Sequence, residues 1–91
     1  LKQSIRVQPA QERQGRTHAY AVLAQRQLRL GHLEASCESW RRFLDEYEHV
    51  SSVRGDDHFA TMRADLAPYS QARAVKNLAD RIQEVAAAKA A

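Results

Sequence analysis

Four histidines, one cysteine and an adjacent acidic pair are the residues of this 91-residue chain best suited to chemistry. Histidines that share a metal from one helix sit at i and i+4, on the same face. His18, His32, His49 and His58 do not stand in that relation to one another or to Cys37, so no metal site is legible. Cys37 falls on an apolar stripe with no neighbouring His or helix N-terminus to depress its pKa. It reads as packed core rather than as a nucleophile. Asp56-Asp57 has the look of a metal or phosphate motif, but a bare acidic pair at a helix start is accounted for by the helix dipole. No convergent set of titratable groups can be assembled, so no catalytic residue, cofactor or metal is expected.

The elements that carry these residues read as helices. Upstream, Tyr20, Leu23, Ala24, Leu28 and Leu30 form one apolar stripe. Downstream, Leu33, Cys37, Trp40, Phe43, Leu44, Tyr47 and Val50 keep a three/four spacing over five turns. Gly31 between them suits a left-handed helix end, and the two stripes imply an αα-hairpin. The first helix is expected over about 18–30, with Thr17 as its N-cap, and the second over about 33–48. Leu1 to Val7 reads as the last turns of a helix stopped before Pro9, and 9–15 as a loop or a frayed approach. After a break at Ser51-Ser52, a third helix carries Phe59, Met62 and Leu66 and ends before Pro68. Ser70 is expected to cap a fourth, striped by Val75, Leu78, Ala79, Ile82, Val85 and Ala86. Trp40 and Met62 are expected core anchors.

Composition narrows the function classes. An apolar share of 44% with only three glycines and two prolines fits a globular, all-α chain. The formal charge of +3 is mild, and the arginines are scattered. Only Arg41-Arg42 is an adjacent pair, with Glu38, Asp45 and Glu46 about one turn away. That pattern is a solvated helix face rather than a nucleic-acid stripe. No segment approaches the roughly 20 apolar residues of a membrane span, and no apolar stretch resembles a signal peptide. A lone cysteine excludes an internal disulfide and suits a reducing cytoplasm, so a cytoplasmic piece of a larger protein is expected.

Over 17–50 the residues resemble a tetratricopeptide repeat, whose period is about 34 residues. Tyr20-x-x-Leu23-Ala24 matches the family's aromatic, leucine and small residue of the first helix. Leu30-Gly31-His32-Leu33-Glu34-Ala35 is similar to its inter-helix turn, and Ser36-x-x-x-Trp40 to the small residue and aromatic of the second helix. Ala24, Gln27, Ser36 and Glu48 depart from the family's Gly, aromatic, Ala and Pro. The resemblance implies antiparallel hairpins stacked as a right-handed solenoid. Residues 1–16 would be the tail of a preceding repeat with a loop, and 51–91 a divergent terminal repeat with a C-terminal capping helix. Gly15-Arg16-Thr17, Val50-Ser51-Ser52-Val53-Arg54 and Leu66 to Ala74 also resemble the C-terminal repeat region of large actinobacterial transcriptional regulators.

That resemblance implies a non-catalytic interaction or effector-sensing module whose partner is a protein, a peptide or a small effector. DNA would be bound only through a domain outside this chain. Its concave face would be lined by the first helix of each hairpin, with His18, Val22, Gln25, Arg29, Arg54 and His58 as the partner-binding groove. Arg29 would hold a carboxylate, and His18 and Gln25 would supply hydrogen bonds to a peptide backbone. The alternative is a self-associating helical bundle acting as a dimerisation or scaffold element.

Overall fold

A computed structural model describes residues 9–91, and every regular element among them is helical. The order is α1 (Pro9–Arg29), α2 (Leu33–Tyr47), α3 (Val53–Leu66), a 3-10 turn (Ala67–Tyr69) and α4 (Arg73–Ala90). The expected helical tail over Leu1 to Val7 lies outside the described residues.

The hinge at Gly31 is as expected. Its φ of +86° is the only positive φ among the described residues. The His32 amide reaches back to the Gln27 carbonyl and the Gly31 amide to that of Leu28, each at 2.9 Å. This is a Schellman closure, which satisfies carbonyls at the end of α1 and needs a residue tolerant of left-handed backbone. α2 then returns antiparallel. Ser36 Oγ donates to the Ala24 carbonyl at 2.7 Å, Ser39 Oγ to Gln27 Oε1 at 2.6 Å, and Arg16 Nε meets Glu46 Oε2 at 3.1 Å.

The start of α1 differs from expectation. The helix runs through 9–16, where a loop or a frayed approach to the first helix was expected. Pro9 is the first helical residue among those described. Ala10, Gln11, Glu12, Arg13 and Gln14 are good helix formers, and Arg13 and Arg16 both pair with Glu46 on α2, which anchors the extra turns. Thr17 therefore caps nothing. It is buried inside α1, and its hydroxyl donates to the Arg13 carbonyl one turn back at 2.6 Å.

The buried stripe of α1 is also not the one its large residues suggest. Thr17, Ala21 and Ala24 face the core, whereas Leu23 is 45% and Leu30 73% exposed. Small side chains let α1 approach α2 closely enough for the Ser36 hydroxyl to reach a main-chain carbonyl. The larger residues are displaced to the flanks. On α2 the expected stripe holds: Cys37, Trp40, Phe43, Leu44, Tyr47 and the following Val50 are buried, with Leu33 half-buried. Trp40, Phe43 and Tyr47 form a ring column, edge-to-face at 5.3 Å and then stacked at 5.2 Å, which continues to Phe59 of α3 at 5.4 Å.

α3 is capped by Ser52, whose Oγ accepts from the Gly55 amide at 3.1 Å. Asp56 in its first turn accepts the Tyr47 hydroxyl, so the acidic pair at this helix start is partly committed to locking α2 against α3. Pro68 falls in the 3-10 turn after α3. Ser70 lies at the end of that turn and caps no helix. α4 begins three residues later behind Ala72, with no side-chain cap.

α3 packs chiefly on α1, and α4 on α2. α4 runs parallel to α2. Arg41 donates to the Asn77 carbonyl and Arg81 to Asp45, both pairs 36 residues apart. Arg81 also meets Glu48 at 2.7 Å and its own Glu84 at 3.0 Å, and these carboxylates hold its pKa well above the ordinary guanidinium value. Lys89 donates to the Val50 carbonyl and stands 4.2 Å above the Tyr47 ring, tying the end of α4 to the α2–α3 loop. Met62, Leu66, Val75, Leu78 and Val85 are buried as their stripes imply, while Ala79 is exposed. Between α3 and α4 an open, largely apolar groove of about 190 Å³ is lined by Leu66, Ala67, Val75, Ala79 and Ile82.

Candidate functional site

The helices bring three of the six expected groove residues into direct contact. His18 on α1 and His58 on α3, 40 residues apart in the chain, meet with Nδ1 and Nε2 3.0 Å apart and ring planes inclined at 38°. Gln25, two turns along α1 from His18, places its side-chain amide 3.3 Å from the other nitrogen of His58. The seven-residue spacing of His18 and Gln25 returns both to one face of α1, and α3 lays His58 between them. All three are half-buried.

The hydrogen bonds couple their states. Two neutral imidazoles bond only if one nitrogen carries the proton and the other offers its lone pair. With the Gln25 amide nitrogen donating to His58 Nδ1, His58 carries its proton on Nε2 and donates to His18 Nδ1. Burial first, then His18 and Arg54, hold the His58 pKa below the usual histidine value, and Asp57 opposes them. These surroundings favour the neutral form of His58. The Phe43 ring stands edge-on to it at 6.2 Å, so the aromatic column of α2 forms the floor beneath the pair.

Of the other three residues, Arg54 borders the same cleft, and Val22 and Arg29 lie on α1 with His18 and Gln25. Arg54 is exposed one turn before His58. With Gln14, Thr17, Ser52 and the two histidines it borders a cleft of about 10 Å³, room for one water. Val22 is half-buried on α1 between His18 and Gln25. Arg29 is exposed in the last turn of α1 and makes no ion pair with a described residue, so its charge faces solvent while complementing the helix end. The six residues thus divide into a hydrogen-bonded centre of His18, Gln25 and His58, Arg54 at the border of its cleft, and Val22 and Arg29 at spacings that return to the His18 face of α1.

The histidine pair was invisible to a spacing search because its members belong to different helices. The one available signal was that both stand on polar faces of helices implied to be neighbours. Cys37 is buried, and burial raises its thiol pKa, as suits core rather than a nucleophile. Among the described residues no group of three or more His, Cys, Asp or Glu converges, and no described helix is long and apolar enough to cross a membrane. Chemically, the centre can exchange hydrogen bonds with a ligand's amides or carboxylates, and Arg29 and Arg54 add two positive charges.

No protein-family model, curated protein or solved structure matches this chain.

Proposed function

We propose that this chain is a non-catalytic, tetratricopeptide-like interaction module that holds an acidic protein segment on the face made by α1 and α3. The observation that carries this reading is the meeting of His18, Gln25 and His58 between those helices, with Arg54 bordering the same cleft and Arg29 further along α1. The helix order supports it. α1 lies beside α3 and α2 runs parallel to α4 with contacts 33 to 39 residues apart, a range that includes the family's period of about 34. In this reading the chain is the C-terminal part of a cytoplasmic bacterial transcriptional regulator whose DNA-binding domain lies outside it. Ligand binding changes the packing angle between hairpins, and that change is what the rest of the protein senses.

The test is fluorescence anisotropy with a labelled Glu/Asp-rich peptide and a Lys-rich control. Arg29→Ala and Arg54→Ala should each weaken the acidic peptide about two- to five-fold at low salt, with a smaller effect at high salt. Unchanged affinity in both variants would sink the groove assignment.

One observation favours a second reading, a self-associating bundle: the apolar groove between α3 and α4. Sedimentation separates the two. A compact dimer that ignores the acidic peptide, and that Ile82→Glu converts to monomer, supports the bundle and overturns the module.

A further inference from the structure

We propose that His18 and His58 form a two-histidine site for a divalent transition-metal ion, Cu(II) foremost. The proposal goes beyond the peptide-binding reading and does not depend on it, since it needs only the contact of α1 with α3. It starts from the distance between the facing nitrogens. Two imidazoles bound to one ion at ~2.0–2.1 Å, with nitrogens 3.0 Å apart, subtend an angle at the metal of about 95°. That is a cis pair of a tetragonal or square-planar site, the geometry of Cu(II) and Ni(II). A tetrahedral Zn(II) site needs the nitrogens further apart. Cu(II) also heads the divalent affinity order for nitrogen ligands.

The cleft beside both rings has room for about one water, which would be a further ligand, and Gln14, Thr17 and Ser52 are among the residues that border it. Each imidazole must turn so that its lone pair leaves the line between the two nitrogens and enters this cleft. Gln25 makes the change of tautomer possible at no net cost in protons. When His58 Nε2 gives its lone pair to the metal, the imidazole proton sits on Nδ1. The Gln25 amide then turns to accept it through Oε1 in place of donating through Nε2. An N–H donated to a carbonyl oxygen is the usual support behind a metal-bound histidine. Arg54 on the border of the cleft opposes a cation and Asp57 beside His58 favours one, which sets the affinity without changing the ligands. Since α1 and α3 each contribute one ligand, the bound ion cross-links the two helices.

The experiment is titration of the whole chain with CuSO4 in a non-coordinating buffer, followed by calorimetry and by electron paramagnetic resonance. We expect one Cu(II) per chain with an axial spectrum split by two nitrogens. His18→Gln and His58→Gln should each weaken binding by about ten-fold or more, while a control with both His32 and His49 changed to Gln binds as before. Ni(II) and Zn(II) should bind more weakly than Cu(II). In the unaltered protein, substoichiometric Cu(II) should broaden the NMR ring resonances of His18 and His58 ahead of those of His32 and His49. This readout needs no variant to fold. Failure to bind Cu(II), loss of binding in the His32/His49 control, or first broadening of the His32 and His49 rings overturns the proposal. If the unaltered protein fails to bind Cu(II), its acidic-peptide titration and the effects of Arg29→Ala and Arg54→Ala on it still stand, so the two readings fail separately.

Discussion

Replacing Gly55 with Ala tests whether Tyr47 is pinned in place. Gly55 is buried in the first turn of α3, and a Cβ there would lie 3.0 Å from Tyr47 Cδ1 and 3.1 Å from Cε1. The ring cannot easily retreat. Its hydroxyl is held by Asp56, its ring packs with those of Phe43 and Phe59, and Lys89 stands over it. Ala gains about 0.5–1 kcal/mol over Gly within a helix. Overpacking a well-filled site costs about 1–3 kcal/mol. The net expectation is destabilisation of about 1 kcal/mol, a fall in Tm of roughly 4–8 °C for a domain of this size. Gly15 provides the internal reference. It is helical and exposed, and a Cβ there meets nothing within 4 Å. Gly15→Ala should therefore raise stability by about 0.5–1 kcal/mol. Urea denaturation followed by circular dichroism measures both. Adding Tyr47→Phe, which removes the tether to Asp56, should reduce the penalty at Gly55. Equal stabilisation by the two alanines would refute the pinned ring and the packing of α2 on α3 that follows from it.

Three further expectations follow from the same contacts. Gly31→Ala should cost about 1–2 kcal/mol in a chemical denaturation curve, because the φ of +86° is strained for any residue with a Cβ although the space is open. Glu48 has its pKa lowered, first by its hydrogen bond to Arg81. Its contribution is present above the ordinary carboxylate pKa and is lost as pH falls through the lowered value. The stability gap between the unaltered protein and Arg81→Gln should therefore shrink in unfolding curves between about pH 6 and about pH 2. Cys37, 5% exposed, should react with Ellman's reagent far more slowly in the native protein than in denaturant. Fast native labelling would place that thiol outside the core.

Periodicity was a good guide wherever large apolar residues do the packing. The α2 stripe from Cys37 to Tyr47 lies buried as its spacing implies, and so do Met62, Leu66, Val75 and Leu78. It misled on α1, where a Thr/Ala stripe faces the core and Leu23 does not. Hydrophobic weight identifies a buried face only when contact is made by large side chains. A close helix crossing selects for smallness instead. Local signals also misplaced two helix starts. Thr17 and Ser70 are good capping residues, but Arg13 and Arg16 gain Glu46 only if α1 begins earlier. The 3-10 turn that holds Pro68 ends at Tyr69 with Ser70 as its C-cap, and α4 begins only at Arg73.

By itself the amino-acid order determined what depends on near neighbours. Helical class, the reversal at Gly31 and the stripe that buries Trp40 all follow from φ preference and 3.6-residue repetition. The tertiary structure alone decided which residues meet across helices. His18 with His58, Tyr47 with Asp56, and Arg81 with Asp45 and Glu48 are each joined by hydrogen bonds between groups 9 to 40 residues apart. Such meetings depend on the relative rotation and offset of packed rods. Those are set by the fit of many side chains at once, so no spacing along one helix records them.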